Sequence, residues 1–153
     1  SVKIETLGEL LNWSSAIHAG LADRMARGAD QGADGPVRWL MEYVAKHEAQ
    51  MSDQLDGIEE AADRSALKTW VYDWLQHPPP RPETVIDAAD REHAFEAVAK
   101  AVFDAHNEIM MVLRFLVDRA DTPEAKELLA RMLGLEEGHT RQIAQQMHRI
   151  RDM

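Results

Sequence analysis

Glu136 and His139 stand three residues apart in the segment Glu136-Glu137-Gly138-His139. On an α-helix that spacing puts both side chains on one face. The rest of that face is apolar, because Leu129, Met132, Ile143, Met147 and Ile150 recur with helical period. A carboxylate and an imidazole aimed into an apolar stripe need a partner, since burying either one alone is costly. A metal ion is such a partner, and Glu-x-x-His on a helix is a spacing that holds metals in helical cores. The chemistry to look for is therefore a metal centre built from His and Glu.

Composition narrows both ligands and partners. The chain has 153 residues, enough for one domain with a real core. It has no cysteine, which excludes disulfides, thiolate zinc sites, cysteine-ligated iron–sulfur clusters and cysteine nucleophiles. Any metal must be held by His, Glu, Asp or Met. A net charge of −10 argues against nucleic acid, whose affinity depends on cationic contacts to phosphate. The best apolar stretch, Ile109 to Val117, is interrupted by Arg114 and is too short to span a bilayer. No signal peptide is visible in the chain as given, so a cytoplasmic protein without membrane contact is expected. Gly28, Gly32 and Gly35 follow a helical pattern and are not followed by a P-loop lysine, which argues against a nucleotide enzyme.

Four long helical segments must position the pair. The first runs from about Ile4 to Arg27, with Leu7, Leu11, Ser14, His18, Leu21 and Met25 on one stripe. The glycines from Gly28 to Gly35 are expected to end it, and Pro36 suits the first turn of the next helix. That second helix reaches about Ala62 and carries Leu40, Val44, Glu48, Met51, Leu55 and Ile58 in phase. Residues 63–87 form a crossover, in which Leu67, Trp70, Val71 and Trp74 suggest a short helix before the extended Pro78-Pro79-Pro80 run. The third helix spans about Ala88 to Arg119, with Phe95, Ala99, Val102, His106, Ile109 and Leu113 aligned. Asp121-Thr122-Pro123-Glu124 starts the fourth, which runs to about Arg151.

The reading is a single all-α domain over 1–153: a helical hairpin at 4–62, a crossover at 63–87 and a second hairpin at 88–151. An internal repeat supports it. A shift of 88 residues places Glu136 on Glu48, His106 on His18 and His139 on Met51. Polar residues at equivalent core positions of two hairpins imply a pseudo-twofold centre.

The Glu136-Glu137-Gly138-His139 motif and the two-hairpin layout resemble the ferritin-like superfamily, and within it the rubrerythrin-like proteins. The resemblance implies a ferritin-like four-helix bundle. In that family the first and third helices each give one Glu, and the second and fourth each give a Glu-x-x-His pair. Together these six ligands hold two irons that react with oxygen or peroxide. This sequence departs from the pattern. Met51 stands where the second-helix His belongs, and His18 replaces the first-helix Glu. On the third helix His106 lies on the main stripe and Glu108 close behind it, so a small rotation decides which points inward.

The candidate ligands are thus His18, Glu48, His106, Glu108, Glu136 and His139. His47 lies one step off the stripe, and Met51 reads as core filler. A set richer in His than in carboxylate favours one divalent ion or a histidine-rich pair. Iron is the first expectation, with zinc, manganese or copper as alternatives. The expected function is a ferritin-like metal-binding protein with redox or oxygen/peroxide-linked chemistry, acting as a homodimer, with the redox partner left open. The alternative is a metal-free ferritin-like scaffold that binds a partner through Trp70, Tyr72 and Trp74.

Overall fold

Thr6 opens the first helix: its hydroxyl oxygen accepts from the backbone N–H of Glu9 at 3.2 Å, satisfying one of the free donors of the first turn. The computed structural model describes residues 4–71 and 93–153. Among them are five helices: α1 (Leu7–Asp30), α2 (Gly35–Ala61), α3 (Arg64–Leu67), α4 (Ala94–Arg119) and α5 (Pro123–Arg151). Pro36 occupies the first turn of α2, as its fixed φ and missing N–H favour. Thr122 caps α5 by accepting from Ala125 N at 3.2 Å, and His148, Arg149 and Arg151 fill the last turn, where cations suit the helix dipole.

α1 does not stop at the glycine run as expected from sequence. It continues through Gly28 to Asp30 and ends before Gly32, whose φ is +101°. A Cβ at Gly28 would stand 2.8 Å from Met41 Sδ of α2. Gly28 therefore serves close helix approach, and the backbone freedom that ends the helix is used four residues later.

In the described part of the crossover, residues 63–71, the helix is the single turn of α3, capped by the Asp63 carboxylate on Ser65 N at 2.9 Å. The chain then pairs with the segment before α1, through Leu7 N to Thr69 O at 2.9 Å and Val71 N to Glu5 O at 2.8 Å. This antiparallel bridge buries Val71 and turns Trp70 outward with 62% of its surface exposed. Tyr72, Trp74, the proline run and residues 88–92 of the expected third helix lie outside the described residues.

α1 packs along α2 and α4 along α5, each pair joined by a short loop that makes its members antiparallel neighbours. α2 also contacts both α4 and α5. The four long helices share one apolar core in which Leu40, Val44, Met51, Ile109, Leu113, Met132 and Ile143 are fully buried. Each such side chain contributes about 1.5–3 kcal/mol through burial. These residues supply most of the burial that holds the helices together. No helix among the described residues is long and apolar enough to cross a membrane.

Register between α1 and α2 is set one turn from the polar core residues. Ser15 donates to Asp56 Oδ1 at 2.6 Å and lies 2.9 Å from Ser52 Oγ. Ser15 precedes His18 by one turn and Ser52 follows Glu48 by one turn, so this clasp brings His18 opposite Glu48.

Candidate metal centre

Each long helix delivers one polar side chain to the same place. His18 of α1, Glu48 of α2, His106 of α4 and Glu136 of α5 are all fully buried. Glu48 is the hub. Its Oε2 meets His18 Nδ1 and its Oε1 meets His106 Nε2. The opposite nitrogen of His18, Nε2, donates to Glu136 Oε1 at 2.7 Å. The two imidazole rings stand edge to face, with centroids 5.2 Å apart and planes at 80°. These four are the residues that the internal repeat relates in pairs, but the pairing is unequal: His18 touches both carboxylates and His106 only Glu48.

Thr140 takes the place of the second carboxylate at His106. Its hydroxyl donates to the backbone carbonyl of Glu136 at 2.7 Å. The single hydroxyl proton is thereby committed, so the 2.8 Å contact with His106 Nδ1 has the imidazole N–H donating to Thr140 Oγ1. Both histidines thus turn one nitrogen to Glu48 and anchor the other on an oxygen acceptor. Thr140→Val keeps the side-chain shape and removes that acceptor. Leaving the buried His106 N–H without a partner is expected to lower stability by about 1–3 kcal/mol, read from urea denaturation. An unchanged midpoint would mean that Thr140 does not anchor the ring.

The charges follow from these contacts. Burial alone would lower the pKa of His18, but the Glu136 charge and hydrogen bonds to Glu136 and Glu48 outweigh it and raise the imidazole to about 10. Burial alone would raise Glu48, but hydrogen bonds from His106 and His18, and the charges of both, bring it down to about 2.

Of the remaining candidate ligands, Glu108 lies outside this group. It follows His106 by two positions, about 200° around the helix, and is exposed. The choice left open between His106 and Glu108 falls to His106. His139 is buried beside the quartet but turns away from Glu48: its Nε2 bonds Gln54 Oε1 of α2 at 2.8 Å. Met51 is fully buried among core residues. Burial, and secondarily the charge of a neighbour (Lys46 for His47, His47 for His139), holds both His47 and His139 below the ordinary imidazole value. Sequence reasoning missed Thr140 and Gln54. Thr140 follows Glu136 by four residues and so shares its face, a signal that was available. Gln54 is exposed, and no pattern marks it.

His18, Glu48 and His106 each offer a ligand atom within 4.8 Å of the others, and no other group of three His or acidic residues among the described residues does so. This group can hold a metal ion. The donor set is two imidazoles and one carboxylate. Each imidazole carries the outer-shell hydrogen bond that metal-ligating histidines almost always make, His18 to Glu136 and His106 to Thr140. No protein-family model matches the chain, and comparisons with curated proteins and with solved structures give no match either. The case for function rests on this geometry.

Proposed function

We propose that this chain is a ferritin-like four-helix-bundle protein that holds a transition-metal ion in its core and uses it in redox or oxygen/peroxide-linked chemistry. The observation that carries the reading is the buried His18–Glu48–His106 set, drawn from three helices, with both rings anchored behind. Two histidines and one carboxylate with open positions suit non-haem ferrous iron. Zinc, manganese and copper are the alternatives that imidazole and carboxylate also accept. The same reading takes the protein to be a homodimer.

His18 through Nδ1, Glu48 through its carboxylate and His106 through Nε2 would hold the ion. When bound, such an ion supplies one-electron exchange or activation of oxygen or peroxide. The protein residues supply the surroundings. Glu48 offsets positive charge, Glu136 fixes the tautomer and orientation of His18, and Thr140 does the same for His106. Val44, Met51, Ile109 and Met132 lie one helical turn from Glu48, His106 or Glu136 and are fully buried, so the site is set in an apolar core that strengthens each electrostatic contact.

A second reading, a metal-free scaffold, is favoured by a specific feature: His18 and Glu48 already satisfy both of their polar atoms through direct hydrogen bonds. Elemental analysis of the purified, unloaded protein separates the two. The metal reading expects about one or more equivalents per chain, lost in His106→Ala. No metal as purified, and none taken up on reconstitution, leaves the scaffold.

A further inference from the structure

α4 and α5 close on each other less tightly than α1 and α2 do. Near the start of α4 and the end of α5 they leave a groove of about 350 Å³. Its floor is Ala99 and Phe103 of α4 with Ala144 and Met147 of α5, and Glu96 and Arg151 stand at its rim. The two alanines, one on each helix, are too short to fill the space between them.

The internal repeat shows how the same position is closed in the other hairpin. Shifted by 88 residues, Phe103 falls on Ser15 and Ala144 on Asp56. Ser15 and Asp56 are joined across α1 and α2 by a 2.6 Å hydrogen bond. Glu96 falls on Gly8. Leu67 of α3 packs there so closely that a Cβ on Gly8 would stand 3.2 Å from its carbonyl oxygen. The first hairpin thus closes its own side with a polar clasp and a short helix. The second presents an apolar groove that none of the described residues covers.

The same side of α4 carries a projecting apolar side chain. Phe103, Asn107 and Met111 form one i, i+4, i+8 row, and Met111 is 62% exposed. A groove and a knob two turns apart on one helix are self-complementary under a twofold axis. Antiparallel pairing of two α4 helices about Asn107 lays Met111 of each copy on Phe103 of the other, since both stand four residues from Asn107.

Charge selects a second copy as the occupant. Two chains of net charge −10 repel over most of their surfaces. Along this face the charges are matched within the chain: Arg151 lies 3.6 Å from Glu96, Lys100 2.5 Å from Asp104 and Arg114 3.7 Å from Glu137. On the first hairpin the positions equivalent to Ala144, Met147, His148 and Arg151 are Asp56, Glu59, Glu60 and Asp63, all acidic. That side would bring like charges together. α4 and α5 have 26 and 29 residues. A face two helices wide and about 40 Å long offers on the order of 800 Å², the area each partner buries in a standard interface.

We infer that two copies of this chain pair through the outer face of α4 and α5, each placing Met111 in the groove of the other. The inference rests on the homodimer reading above and assigns its surface.

The test is sedimentation of the full-length protein over a range of concentrations. Wild type is expected to be a dimer. Ala144→Glu puts a charge in the groove and Met111→Ser removes the knob, and each should raise the dimer dissociation constant by more than about 10-fold. Neither residue is buried in the single chain, so helical circular dichroism and the urea midpoint should stay close to wild type. If Ala144→Glu fails to fold, Met111→Ser alone decides. A wild-type dimer that either folded variant leaves as tight as before overturns this surface and leaves the homodimer reading standing. A wild type that is monomeric at every concentration overturns both.

Discussion

Glu48→Ala is expected to lose both the metal and a large part of the stability of the fold. Among the described residues Glu48 alone hydrogen-bonds both His18 and His106, and all three are fully buried. Its removal leaves two imidazoles facing a cavity with one carboxylate, Glu136, still on His18. Breaking a buried charge pair from one side typically costs about 3–5 kcal/mol, because the remaining partner stays desolvated and unpaired. Urea denaturation of the chelated protein reads this directly. Zinc affinity should fall by more than about 100-fold, since losing a ligand exceeds the loss typical of an outer-shell partner. Glu48→Gln keeps the side-chain volume and one acceptor oxygen, so it should spare more stability while losing most of the ion affinity. A cost below about 1 kcal/mol for Glu48→Ala, the level of an ordinary surface change, would show that Glu48 is not the hub.

The chelated protein is also expected to be most stable between about pH 4.5 and 6.5 and to weaken on either side. His18 is raised from 6.5 to about 10 on folding. Its contribution is fully present below 6.5 and is lost as pH rises through 10. Glu48 is lowered from 4.5 to about 2. Its contribution is fully present above 4.5 and is lost as pH falls through 2. The groups facing His18 are Glu48 from α2, Glu136 from α5 and the edge of His106 from α4. Unfolding free energies measured across the pH range test both limbs. Surface carboxylates add to the acid limb, so the alkaline limb is the cleaner reading. Stability that stays level from neutral pH to pH 10 would contradict a charged His18 held between two carboxylates.

The fold was legible where its causes are local. Thr122-Pro123 and Gly35-Pro36 mark helix starts through capping and a fixed φ, and the structure begins helices there. The apolar periodicity placed His18, Glu48, His106 and Glu136 on core stripes, and all four are fully buried. A buried stripe is a property of one helix, readable without knowing its neighbours. Gly28 shows the limit of local reading. Its helix propensity argues for a stop, but the close approach of Met41 from another helix gives the glycine a different use.

The details of the site depended on contacts between helices. Rotation of α4 against α2 and α5 turned His106 inward and Glu108 to solvent. Gln54 drew His139 away from Glu48, and Thr140 took the role of the missing fourth-helix partner of His106. The sequence by itself determined the apolar stripe of each helix, because a period of 3.6 residues assigns every side chain to a face. Only the tertiary structure decided which nitrogen meets which oxygen, because those distances depend on how four separate helices are rotated and set in register against one another.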